Sequence, residues 1–181
     1  MSAPAQVEHA PGNQPGAGAA DHPDFEVVVL NHRPAPQGSK RHIGHGRMIE
    51  QSVRVKPWRH AAASAVRQAL AAARGRDEPS SAPLDGALFV QIVFTVRKPA
   101  RPKRPTWPVT RDSGDLDKLL RSTFDALTDG GAITDDSRVV KVVASKVHPG
   151  EGEGALDAPG AVIRVWRLGE AQATARATAV G

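Results

Sequence analysis

The chain has 181 residues, a formal net charge of +5 and a sequence pI of about 10.1. It has no cysteine, which excludes disulfides, thiolate nucleophiles and zinc sites built on sulfur. No apolar run is long enough to cross a bilayer, so we expect a soluble, cytoplasmic protein whose basic charge favours a polyanionic partner, nucleic acid ahead of a membrane surface.

Residues 1–24 are small residues, Pro and Gly without an apolar period, and they lack the basic start and apolar stretch of a signal peptide. A disordered tail is expected there. "FEVVVL", Phe25 to Leu30, reads as a buried strand. Residues 31–52 combine turn formers with many bases and read as a long loop or a hairpin with its tip near "GHG". "KPWRHAAASAVRQALAAARG" is a helix, with Pro57 near its start, Gly75 at its end and an Ala-rich body. After a linker, "ALFVQIVFTV" (Ala87 to Val96) is a strand rich in β-favouring bulk. The next segment, "RKPARPKRPTWPVTRD", holds too much Pro for a helix or a central strand.

From about Leu116 to Leu127 the spacing of Leu116, Leu119, Leu120, Thr123, Phe124 and Leu127 predicts an amphipathic helix, ended by "DGG". "SRVVKVVASKVH" and "AVIRVWRL" are two further strands, and "PGEGEGALDAPG" between them reads as a flexible hairpin loop. A folding unit over 25–168 follows, with a weakly patterned tail at 169–181. The element order predicts an α+β fold with a mixed β-sheet flanked by helices.

The acidic residues gather around that second helix, in "GDLDKLLRSTFDALTDGGAITDD". Asp115 and Asp117 stand at its head, where the helix N-terminus favours carboxylates. They could simply cap it. Asp135 and Asp136 open the next element. If the following strand returns antiparallel to the helix, Asp136 comes back towards Asp115 and Asp117. Converging carboxylates raise one another's proton affinity, a penalty that a hard divalent cation removes. Arg121, one turn beyond Asp117, could pair with Asp117 or Asp125, or offset charge on a phosphate. Basic segments stand on either side: Lys40, Arg41 and Arg47 in the early loop, and Lys98, Arg101, Lys103 and Arg104 in the Pro-rich one. Cations that grip a phosphate backbone beside a metal held by carboxylates suit a nuclease.

"HIGH" at His42 to His45 is set aside, because no nucleotide-binding strand–helix pattern or partner motif surrounds it. Trp58 and Trp166 read as core or interface residues, whereas Trp107, inside the basic loop, is a candidate to stack on an opened base.

"GDLDKLLRSTFDALTDGGAITDDSRVV" resembles the signature of the RusA family of Holliday-junction resolvases, an Asp-x-Asp pair opening a helix, a basic residue four on, Asp-Ala-Leu, a turn and Asp-Asp. "PAPQGSKRHIGHGR" and "KPWRHAAASAV" are similar to the family's basic early segment and first helix. The resemblance implies a RusA-like fold and a homodimeric, Mg²⁺-dependent crossover junction endodeoxyribonuclease, with Mn²⁺ able to substitute. Such enzymes nick four-way DNA junctions at symmetric positions in recombination and repair, often from prophage-borne copies. By position, Asp115, Asp117 and Asp136 would be metal-binding catalytic acids, with Asp135 secondary. Arg121 falls where the family usually has a catalytic lysine. It keeps the charge but does not readily give up a proton. Lys118, an expected DNA contact with the basic residues named above, falls where many members have asparagine. Two other readings stay open on the residues alone: a non-catalytic nucleic-acid-binding module, and a nuclease for flaps or forks. A small-molecule phosphohydrolase is disfavoured by the broad basic character.

Overall fold

The computed structural model describes residues 22–38, 53–75, 82–100 and 107–169, together with the backbone of 40–42 and 48–50. The expected tails over 1–24 and 169–181 lie almost wholly outside the described residues. Among the described residues six strands and two helices follow in chain order: β1 (Phe25–Val29), β2 (Lys40–His42), β3 (Met48–Glu50), α1 (Val55–Gly75), β4 (Leu88–Thr95), α2 (Leu116–Gly130), β5 (Val139–Val147) and β6 (Gly160–Arg167). Short 3-10 turns at Arg111–Ser113 and Asp136–Arg138 precede α2 and β5.

β1, β6, β4 and β5 form one mixed sheet in that order; β2 and β3 form a separate antiparallel pair. Of the long loop or hairpin expected over 31–52, the structure has the hairpin, and its tip at 43–47 lies outside the described residues. In β1 the buried Phe25, Val27 and Val29 alternate with exposed Glu26 and Val28, as a half-buried strand requires. β4 sits inside the sheet, parallel to β5 and antiparallel to β6. This corrects the hairpin expected at 149–160. β5 and β6 do not pair with each other but flank β4 on its two sides. β4 is the most apolar strand, with Leu88, Val90, Ile92 and Phe94 all fully buried, and it takes the centre where both neighbours shield it.

The core joins one face of the sheet to both helices. Val27, Val29, Val90, Ile92, Phe94, Ile163 and Val165 meet Trp58, Val66, Leu70, Leu119, Ala126 and Leu127. Trp58 is buried, as expected, and donates its indole N–H to Thr123 Oγ1 at 3.3 Å. Trp166 lies on the opposite face, stacked on Phe89 with ring centroids 5.0 Å apart. The helices cross closely at Gly130, where a Cβ would come 2.6 Å from Val66 Cβ. Gly130→Ala should therefore cost about 1–3 kcal/mol of unfolding free energy despite alanine's better helix propensity, read as a lower denaturant midpoint at unchanged slope.

α2 ends on Gly131, whose left-handed φ of 83° lets its N–H reach the carbonyls of Leu127 and Thr128. The chain then leaves along Leu84: Leu84 N–H donates to Ala132 O at 2.8 Å and Thr134 N–H to Leu84 O at 3.0 Å. This tie holds the start of β5 at the C-terminal end of α2.

Candidate metal centre at the head of the second helix

Asp115 is the N-cap residue of α2 by backbone position, extended at φ −78° and ψ 137°, yet its carboxylate caps no backbone N–H. It accepts instead from Lys118 Nζ at 2.7 Å. That hydrogen bond and the Lys118 charge hold its carboxyl below the usual range, with smaller help from the charges of Lys146 and Arg111. Lys118 is raised in turn by the same contact. Asp117 follows in the first turn, exposed, and accepts no hydrogen bond among the described residues. Neither side chain therefore caps a backbone N–H, although Asp117, in the first turn, still complements the helix N-terminus.

Arg121 is exposed one turn further on and pairs with neither Asp117 nor Asp125. Asp125 is held by Arg59 at 3.0 Å, and the same guanidinium reaches Asp129 at 2.7 Å. Arg121 thus keeps its charge available beside the acids.

Asp136 is elsewhere. It opens the 3-10 turn that follows the α2 exit, next to Asp135, whose carboxylate accepts from Ser137 N–H at 2.9 Å and is held low by the Ser137 side chain first and by that N–H second. β5 does run back antiparallel to α2, as expected, but an antiparallel return brings its far end home. Lys146, near the end of β5, reaches the head of α2 and donates to Gly114 O at 2.6 Å and to Ser113 Oγ at 3.2 Å. Lys146 stands beside Gly114, and the seven strand steps back to Val139, just beyond Asp136, keep Asp136 roughly 20 Å from Asp115. Within one chain the two acidic ends do not converge, and among the described residues no three His, Asp or Glu side chains gather to hold a metal. The Asp115–Asp117 pair still fits Mg²⁺, which takes one or two carboxylates and completes its octahedron with waters and substrate phosphate oxygens.

The surroundings are cationic. Gln37 N–H donates to Lys118 O at 3.0 Å and Ser122 Oγ to Ala35 O at 2.8 Å, so the chain before β2 is docked on α2. Lys40 and Arg41 begin β2, within about 14 Å of chain from Gln37. Their side chains, and all of Arg47, Arg101, Lys103 and Arg104, lie outside the described residues. Lys98 is described: it follows β4 at the same end of the sheet as Lys146 and pairs with Glu151. Trp107 is 78% exposed at the end of that loop.

Two residues of this region escaped the sequence reading. Asp112 pairs with Arg33 and, at 3.3 Å, with Arg54, and the Arg33 contact above all holds its carboxyl low. Lys146 is the second. Its signal was available as a lysine sharing the alternation of Val142 and Ala144, but alternation does not say what lies opposite. A cleft of about 430 Å³ opens on the other side of Gln37, between Lys56, Arg59, His60 and Arg67 of α1. The carboxylate pair lies outside it, on open surface, as suits a substrate as large as a DNA strand.

No helix among the described residues is long and apolar enough to cross a membrane. No individual curated protein matches the chain. The family model for Endodeoxyribonuclease RusA matches residues 32–155, well over half of the chain, and on that match, with its mixed sheet, two helices and acidic helix head, the chain belongs to the RusA endodeoxyribonuclease family.

Proposed function

We propose that this protein is a Mg²⁺-dependent, structure-selective endodeoxyribonuclease that resolves four-way DNA junctions by paired symmetric nicks, acting as a homodimer in recombination and repair. The observation that carries the reading is the Asp115–Asp117 pair: two exposed carboxylates, free of capping duty, at one helix head in a chain of this family.

Asp115 and Asp117 would hold the cation, which when bound lowers the pKa of a water and screens the scissile phosphate. The chain's own residues do the rest. Lys118 keeps the Asp115 carboxylate ionised and oriented. Arg121 offsets charge that builds on the phosphate, an electrostatic role that needs no proton transfer. The basic segments around Lys40, Arg41 and Arg47, and around Lys98, Arg101, Lys103 and Arg104, grip the backbone on either side.

Asp136 joins this centre only from a second copy. Among the described residues β5 is an edge strand with one side unpaired, and Val140, Val142 and Val143 on it are 64%, 41% and 49% exposed. An open apolar edge invites strand pairing. α2 packs against β5 and leaves Leu116, Leu120 and Phe124 partly buried in one stripe. If two β5 edges pair antiparallel about a two-fold axis, the start of one lies beside the end of the other. Asp136 of each copy then stands near Lys146, Asp115 and Asp117 of its mate. Two such centres related by a two-fold match the symmetry of a four-way junction.

Incubation of a labelled four-way junction with Mg²⁺ or with a chelator tests the reading. We expect paired nicks with the metal and intact junction without it, and much slower cutting of duplex. Equal cutting of flaps or forks at matched salt would overturn the junction preference. Binding should weaken by about a thousandfold between 50 and 200 mM salt if some six phosphates are contacted.

A further inference from the structure

We propose that Lys146 is a positioning residue for the Asp115–Asp117 pair: its ammonium pins the peptide that leads into α2 and so sets where the two carboxylates point. The inference rests on the metal-site reading above and extends it to a residue outside the acidic motif.

Lys146 occupies a position that stability alone would fill differently. In the register of the sheet it pairs with Phe94, which is fully buried, and it shares the helix-facing side of β5 with Val142 and Ala144. An aliphatic side chain belongs there. A lysine instead gives up part of the strong hydration of its charge. Two hydrogen bonds offset that cost, both to the segment immediately before Asp115: Gly114 O at 2.6 Å and Ser113 Oγ at 3.2 Å.

That segment is built to be held. Gly114 has φ 79°, a conformation open to glycine, and a Cβ there would lie 2.9 Å from Pro36 Cγ. Ser113 Oγ lies 2.7 Å from Pro108 O and 2.6 Å from Thr110 O. Its single proton serves one of them at a time, leaving the oxygen free to accept from Lys146. Gly114 N–H returns to Arg111 O at 3.2 Å. Remove the ammonium and Gly114 O, next to the first carboxylate, loses its only bond to the sheet among the described residues. An ammonium carries three N–H groups, two of which are used here. β5 thus ties the acid pair to the sheet through one end while its other end carries Asp136.

The test compares wild type with Lys146→Met, which keeps the length and apolar stem, and with Lys146→Arg, which keeps donors. Without metal, amide hydrogen exchange in residues 111–117 should quicken by about tenfold or more in the Met variant while β4 and β6 stay protected. Its melting temperature and junction affinity should stay near wild type, and single-turnover cutting at saturating Mg²⁺ should fall by about a hundredfold. The Arg variant should recover to within about tenfold of wild type, because its donors span the same two oxygens. Unchanged exchange and cutting in the Met variant would overturn the inference. So would a loss of cutting that merely tracks lost melting temperature and lost junction binding. A wild-type protein that leaves every junction uncut with Mg²⁺ sinks the nuclease reading instead, and the exchange comparison still decides whether Lys146 holds this segment.

Discussion

Asp117→Asn should abolish junction cutting and leave junction binding intact. The substitution keeps the shape of the side chain and removes the charge that a hard cation needs. Asp117 is exposed and accepts no hydrogen bond among the described residues, so the fold loses only its attraction to the head of α2, about 0.3–1 kcal/mol. A metal contributes several kcal/mol to the transition state of phosphodiester hydrolysis, and about 4 kcal/mol is already a factor of about a thousand in rate. Removing a negative charge from a surface that faces DNA should, if anything, tighten binding. Cleavage gels and binding titrations on the same preparation decide it. Normal cutting by the Asn variant would remove the acid pair from the chemistry. The acidity of Asp115 adds a constraint. Its carboxyl is held below the ordinary range by Lys118, so it stays ionised as pH falls through the usual carboxylate values. Loss of activity between pH 8 and 6 would then not come from protonation of Asp115. The Lys118–Asp115 contact itself favours the fold above the ordinary carboxylate pKa and is lost only as pH drops through the depressed one.

Mixing two inactive proteins should restore cutting. In the proposed dimer each centre takes Asp115 and Asp117 from one chain and Asp136 from the other. A dimer of one Asp117→Asn chain with one Asp136→Asn chain then holds one doubly damaged centre and one with all three acids intact. Each variant alone should be inactive, and the re-associated mixture should nick one strand of a junction without the paired second cut. At random exchange about half of the dimers are mixed, so the rise over either parent should be very large. If the mixture stays dead while subunit exchange is demonstrated independently, the centres are not shared. Asp136 would then have no part in them, because the length of β5 keeps it from the acid pair of its own chain.

Much of the architecture was legible beforehand. The stripe from Leu116 to Leu127 located α2 because its period is local and its end is marked by Gly130 and Gly131. β1, β4 and β6 were legible as short apolar runs bounded by turn formers. The acid pair was legible too, since carboxylates two apart at a helix start depend only on nearby residues. The pairing of β5 was not. Its expected partner was β6, next in sequence, but β4 lies between them because the most apolar strand gains most from two neighbours. From that difference follows the reassignment at the helix head. Once β5 runs parallel to β4 and antiparallel to α2, Lys146 arrives beside Gly114 and Asp136 stays at the far end.

The sequence by itself determined what is local in chemistry: a cysteine-free basic chain, an acid pair heading an amphipathic helix, cationic segments on either side, and the motif by which the family is recognised. Only the tertiary structure decided which of those groups are neighbours. Distances between groups in different elements depend on strand order and direction, which are settled by the burial of whole faces rather than by any residue's own preference. That is why a lysine thirty-one positions away stands beside Asp115, while an aspartate ten positions nearer does not.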